Sequence, residues 1–182
     1  MIDVDAVAEL LYPLSLFRQT EGEPLPPFEV IEGDAMPAPY HDLLVHCGDM
    51  TSRLAAYHEG QIVLEVLHRE VTPEAYRREV VLHVAETGAP VEYGAIEIFL
   101  TAFPEELRAQ IVEAKRPLGG LLNAHKFGYR SRPKAFIKLG NDAIMCGIYR
   151  CTGPRCSFYG RCNELVREDG VLLARIVEVL AP

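Results

Sequence analysis

Apolar and polar side chains alternate along residues 61–70 (QIVLEVLHRE), 76–84 (YRREVVLHV) and 91–100 (VEYGAIEIFL). A period of two predicts three strands. Thr87-Gly88-Ala89-Pro90 separates the second from the third as a turn. KAFIKL at 134–139 and AIMCGIYRC at 143–151 read as two further strands around a Gly-Asn-Asp turn. The last segment, NELVREDGVLLARIVEVL, carries Asp169-Gly170 between two apolar runs and reads as a hairpin, with a terminal helix as the alternative.

Helical patterns fall between these runs. Residues 4–12 suit a short helix. Residues 48–60 suit another, with Asp49 as N-cap and Gly60 as its stop. FPEELRAQIVEA at 103–114 places Pro104 and two glutamates in its first turn. RPLGGLLNAH at 116–125 starts with Pro117 and two glycines, which allow a close approach to the backbone. Prolines 24, 26 and 27 mark a loop, and MPAPYHD at 36–42 marks a second. Short connections between mostly adjacent strands predict an α+β domain, an antiparallel sheet with helices packed on one face.

One strand poses a chemical question. In YRREVVLHV one register holds Arg78, Val80, Leu82 and Val84, and the other holds Arg77, Glu79, Val81 and His83. The second set is expected to face water. The first is a core face with a guanidinium on it. A buried guanidinium needs an anion, because unpaired buried charge is costly. Its planar fork suits a carboxylate. The partner is either a carboxylate ligand or one of the chain's 26 acidic residues.

Composition narrows the classes. The 182 residues are 49% apolar, which suits one domain with a hydrophobic core. A net charge of −8 disfavours duplex nucleic acid as a partner. No apolar run reaches membrane-span length, and the acidic N-terminus broken by Pro13 is unlike a secretory signal. A cytoplasmic location with reduced cysteines is the expectation.

Three stretches together carry a family resemblance. GDMTSRL, YRREVVLHVAETGAPVEYG and KRPLGGLL, within residues 43 to 150, resemble the early helix, the arginine-bearing strand pair and the T-P-L-G-R-x-L helix start of chorismate pyruvate-lyase. The related effector-binding domains of some bacterial repressors share that fold. The resemblance implies a chorismate lyase-like fold and a closed pocket for a small aromatic carboxylate. It places the carboxylate on Arg78. Backbone groups of Met50 and Leu118 would hold the ligand, with Gly119 beside them. It implies no cofactor and no metal.

The family's acidic residue in a late strand falls on Gly147, which supplies room but no acid. Tyr149, on the same strand parity, and Glu97, on an adjacent strand, are the candidate proton donors. The implied activity is a cofactor-independent lyase releasing pyruvate from chorismate to leave 4-hydroxybenzoate. The alternative is a binding protein or sensor for a small aromatic carboxylate. The single domain would span 1–182, with a cysteine-containing extension from about residue 151. Cys146, Cys151, Cys156 and Cys162 lack C-x-x-C spacing and read as reduced, partly buried thiols rather than a metal cluster. His41, His46 and His58 match no H-E-x-x-H spacing and read as surface or pocket-wall residues.

Overall fold

A computed structural model describes residues 4–151, 153 and 156–182. Its elements run α1 (Val4–Leu10), α2 (Leu14–Glu21), β1 (Phe28–Ile31), α3 (Tyr40–Leu44), α4 (Met50–Tyr57), β2 (Ile62–Val71), β3 (Ala75–Val84) and β4 (Pro90–Phe99). They continue with α5 (Glu105–Glu113), α6 (Leu118–Ala124), β5 (Arg130–Leu139), α7 (Ala143–Tyr149), β6 (Phe158–Val166) and β7 (Leu172–Leu180). The strands form one seven-stranded sheet in the order β1-β5-β6-β7-β4-β3-β2. Every pairing is antiparallel. The expected α+β class is the class observed.

Two meanders, β2-β3-β4 and β5-β6-β7, join where β4 pairs with β7. The expected C-terminal extension is therefore corrected. Residues 158–180 supply the middle of the sheet, and Leu173, Ala174, Val177 and Val179 are fully buried there. Two glycines admit the central strand. A Cβ on Gly94 would run into the carbonyl oxygen of Val177, and one on Gly160 into that of Glu178. Close backbone approach on both sides of β7 selects glycine at those positions.

One sheet face carries α3, α4, α5 and α6. Met50 and Leu54 pack with Leu82 and Val84, and Leu118, Leu121 and Leu122 pack with Ile96 and Leu165. The other face is covered too. Leu11, Leu14 and Phe17 near and within α2, and Met145 of α7, pack on Val81, Tyr93, Phe158 and Val177. This second helical layer corrects the expected wet face of β3. Glu79 is buried there as deeply as Val81, and it accepts a short hydrogen bond from the Tyr93 hydroxyl. Arg77 reaches Glu97 and Glu70, at 2.8 and 2.7 Å. The alternation was real, but side chains on the neighbouring strands β2 and β4, with Tyr12, supply the polar partners that water was expected to supply.

The run 143–149 is a helix rather than the expected strand. Seven mostly apolar residues carry no polar positions to set a period. Asp142 decides the outcome, because its carboxylate accepts the Met145 N–H at 2.8 Å as N-cap. The same carboxylate takes both terminal nitrogens of Arg18, at 3.1 and 3.2 Å, and so ties α7 to α2.

Candidate functional site: a chamber on one sheet face

Cross-strand register assembles the site. Arg78 pairs with Ile96, Val80 with Gly94 and Leu82 with Glu92 between β3 and β4. Gly94 pairs with Glu178 and Ile96 with Ile176 across to β7. Glu178 pairs with Arg161 and Ile176 with Asn163 across to β6. Paired residues share a face, so Arg78, Glu92, Glu178, Arg161 and Asn163 all rise from one floor. Over them sit the starts of α4, at Gly48–Thr51, and of α6, at Pro117–Gly119. Together they bound a partly open cavity of about 60 Å³.

Asp49 holds the two roof pieces together. It caps α4 by accepting Thr51 N–H and Ser52 N–H, at 3.2 and 2.9 Å. It also accepts the Asn123 side-chain amide of α6 at 3.0 Å. A Cβ on Gly119 would collide with the Asp49 carboxylate. Glycine at 119 is therefore a contact requirement between the two helices.

The polar groups of the chamber differ sharply in how well they are satisfied. Arg161 is 1% exposed and bonded through two of its three nitrogens. Its Nε donates to Glu178, and its Nη1 donates to the carbonyls of Leu44 and His46, at 3.1 and 3.0 Å. Arg78 is 3% exposed, and its Nε has no hydrogen-bond partner. Among the described residues no carboxylate lies within ion-pair distance of it. Its guanidinium carbon lies 5.6 Å from the centre of the Tyr76 ring. Burial lowers its affinity for its proton, and the neighbouring tyrosine offsets this in part. Glu92 Oε2 and Asn163 Nδ2 are likewise buried without partners. Such orphaned atoms are uncommon, and three of them face one cavity.

Glu92 is held protonated well above the ordinary carboxyl range, first by burial and then by the nearby Glu178 charge. His46, behind Arg161, is pushed down to about 4 by burial and by that arginine's charge. The Glu92 shift has a stability consequence. In the native state Glu92 retains a proton that the unfolded chain releases, so its contribution to stability falls as pH rises above the unfolded carboxyl value. Glu92→Gln is expected to gain stability on the parent protein between pH 5 and pH 8. Urea denaturation of both proteins at the two pH values checks this, and a constant difference across that range would refute it.

The candidates named from sequence separate into two groups. Arg78, Met50, Leu118 and Gly119 line the chamber. Gly147, Tyr149 and Glu97 do not. Gly147 and Tyr149 lie on α7, over the opposite sheet face. The Tyr149 hydroxyl donates to the Val179 carbonyl at 2.6 Å, and burial pushes its pKa well up. Glu97 accepts from Tyr12 and Arg77, at 2.7 and 2.8 Å, also on that far face. Residues 143–149 form a helix and not the late strand expected there, so Gly147 and Tyr149 stand outside the chamber. Sequence reasoning also missed Arg161, Glu178, Asn163 and Ser131. Ser131 Oγ donates to Asn163 Oδ1 at 2.9 Å. The alternation within 158–166 was available as a signal, but the expected extension from about residue 151 hid it. Glu92 shares strand parity with Ile96 and Ile98 and was legible as the inward carboxyl of β4.

No family model matches the sequence. No curated protein matches it. Solved structures do match in shape. The effector domain of PhnF from Mycobacterium smegmatis superposes with a TM-score of 0.55 at 11% identity, over 74% of this chain and 88% of that one. A longer PhnF structure gives 0.57 at 11% identity, over 75% of this chain. The gene product SA0254 from Staphylococcus aureus gives 0.53 at 8% identity, over 75% of this chain and 90% of that one. The chain spans 65% of the longer PhnF structure, and 59% of YydK from Bacillus subtilis, a possible transcriptional regulator, at a TM-score of 0.50 and 7% identity. At these identities the likeness establishes a shared chorismate lyase-like fold. No described helix is long and apolar enough to cross a membrane.

Proposed function

We propose that this chain is a ligand-binding domain that closes over one small carboxylate, with Arg78 as its anchor. The carrying observation is a guanidinium that is 3% exposed, has no acidic partner among the described residues and lines the chamber. Buried charge without a partner is expensive, and a ligand carboxylate removes the expense with a bidentate pair. The likeness to an effector domain supports a binding role.

Chamber chemistry narrows the ligand. Glu178 disfavours a dianion such as phosphate. Protonated Glu92 is a hydrogen-bond donor, and Asn163 Nδ2 is a second free donor. Leu64, Val80, Leu82, Ile96, Leu118 and Ile176 offer an apolar wall for the rest of the molecule. A cavity of about 60 Å³ matches roughly four to six water-sized positions. This form therefore fits an acetate-sized body, and an aryl carboxylate requires the α4 and α6 starts to part. Calorimetric titration with acetate, benzoate, 4-hydroxybenzoate and phosphate tests this. Saturable binding of a carboxylate, absent in Arg78→Met, is expected. Failure of the whole panel to bind would overturn the proposal.

A second reading keeps the lyase. Glu92 favours it, because a carboxyl held protonated inside the chamber is the acid that the reaction needs for its leaving enolpyruvyl group. Chorismate is much larger than this cavity, so this reading requires a wide opening of the roof. Pyruvate release from chorismate above a no-enzyme blank, lost in Glu92→Gln, is its expected result. A rate equal to the blank sinks the lyase and leaves binding intact.

A further inference from the structure

The three thiols of Cys146, Cys151 and Cys156 converge. Their sulfurs all lie within 4.8 Å of one another. Four residues separate each from the next, a spacing that matches no familiar motif and conceals the cluster in the sequence. Local geometry makes it. Cys146 lies in the last turn of α7. Arg150 caps that helix in the left-handed region at φ 55°, and the Cys151 N–H donates back to the Cys146 carbonyl at 3.1 Å. The chain then returns with Cys156 just ahead of β6. All three are half-buried against the core layer of Met145 and Phe158, on the sheet face opposite the Arg78 chamber. The cluster is thus independent of the proposed anion site.

Simple packing does not require three sulfurs at one point, and a disulfide uses two and strands the third. A single soft cation uses all three. A cation about 2.3 Å from each sulfur, with tetrahedral angles, sets the sulfurs about 3.8 Å apart, inside the observed spread. No histidine, aspartate, glutamate or further cysteine joins the group among the described residues. The fourth position is therefore open. Thiolate-only ligation without carboxylate or imidazole selects thiophilic ions over magnesium or calcium.

We propose that Cys146, Cys151 and Cys156 form a three-thiolate site for a thiophilic cation of the zinc(II) or copper(I) class. On binding, the three S–H protons leave to solvent and three sulfur–metal bonds form, with no change of oxidation state. The bound ion clamps the end of α7 to the entry of β6.

The test uses full-length protein purified without a tag, reduced and stripped by chelator under oxygen-free conditions. Zinc(II) and copper(I) are titrated separately against a competing chelator, and cobalt(II) serves as the spectroscopic probe. One equivalent of zinc or copper, proton release, and a thiolate-to-cobalt charge-transfer band are expected. Which of the two ions survives competition identifies the cation. Cys146→Ser and Cys156→Ser are each expected to lose the band, while Cys47→Ser, at an exposed thiol elsewhere, keeps it. Arg78→Met keeps it as well, so failure of the carboxylate proposal leaves this one standing. Absence of binding with all thiols shown to be free would overturn the proposal. So would unchanged binding in both serine variants, or a disulfide between two of the three in protein isolated without reductant.

Discussion

Arg78→Met is expected to stabilise the ligand-free protein and to destroy its ligand affinity. The two effects have one cause. The Arg78 guanidinium is buried against Tyr76 with an unpartnered Nε, and burial already lowers its hold on its proton. An apolar side chain of similar length removes an uncompensated charge and keeps most of the packing. Comparable replacements of buried charge give gains of about 1–4 kcal/mol, and the small volume lost here places the expectation at the lower end, about 1–2 kcal/mol. In the bound state the same arginine is half of a desolvated ion pair. Truncating one partner of such a pair costs about 2–5 kcal/mol, roughly thirtyfold or more in Kd. Urea denaturation without ligand and calorimetry with the best carboxylate of the panel measure the two effects. A variant less stable than the parent would show that Arg78 is a structural residue.

Arg161→Met, on the same floor, is expected to act with the opposite sign. Arg161 donates to Glu178 and to the carbonyls of Leu44 and His46. Its removal strands a buried carboxylate and two carbonyl oxygens. It also deletes the positive charge that opposes the upward shift of the Glu92 carboxyl. Breaking one side of a buried pair costs about 3–5 kcal/mol, a large share of the ~5–15 kcal/mol stability of an ordinary domain. A fall in the urea midpoint with an unchanged slope checks it. Two buried arginines would thus separate into one that completes the fold and one that, on the proposed reading, is free for a ligand. A loss of less than 1 kcal/mol for Arg161→Met would refute that division.

Those arginines also mark how far the sequence could be read. Arg78 was legible because its strand alternates cleanly and places it with Val80 and Leu82. The strands between 61 and 100, the Asp49 cap and the final hairpin were legible for the same reason, since each is settled within a few residues. Arg161 and Glu178 were not. Their meaning depends on β6 and β7 entering the centre of the sheet, beside β4, a pairing that nothing local announces. Glu79 misled for a related cause, since its polar partners come from Tyr93 and from His68 on β2. The AIMCGIY helix was hidden because an all-apolar run has no phase, and its one informative residue, Asp142, lies outside the run. The acid expected at Gly147 falls on a helix of the far face, whereas Glu92 of β4 is a protonated carboxyl within the chamber.

The position of β7 also orders events in time. The strand that joins the two meanders is the seventh of the seven. During synthesis β2, β3 and β4 emerge early and can pair as a unit, but the open side of β4 has no neighbour until residues 172–180 arrive. An unpaired edge is the part of a nascent sheet most prone to stray association. The chamber floor is also incomplete until then, because Glu178 and Ile176 come with the same strand. The chamber is thus completed in a late step, and a chain interrupted before residue 172 would carry Arg78 without the β7 part of its surroundings.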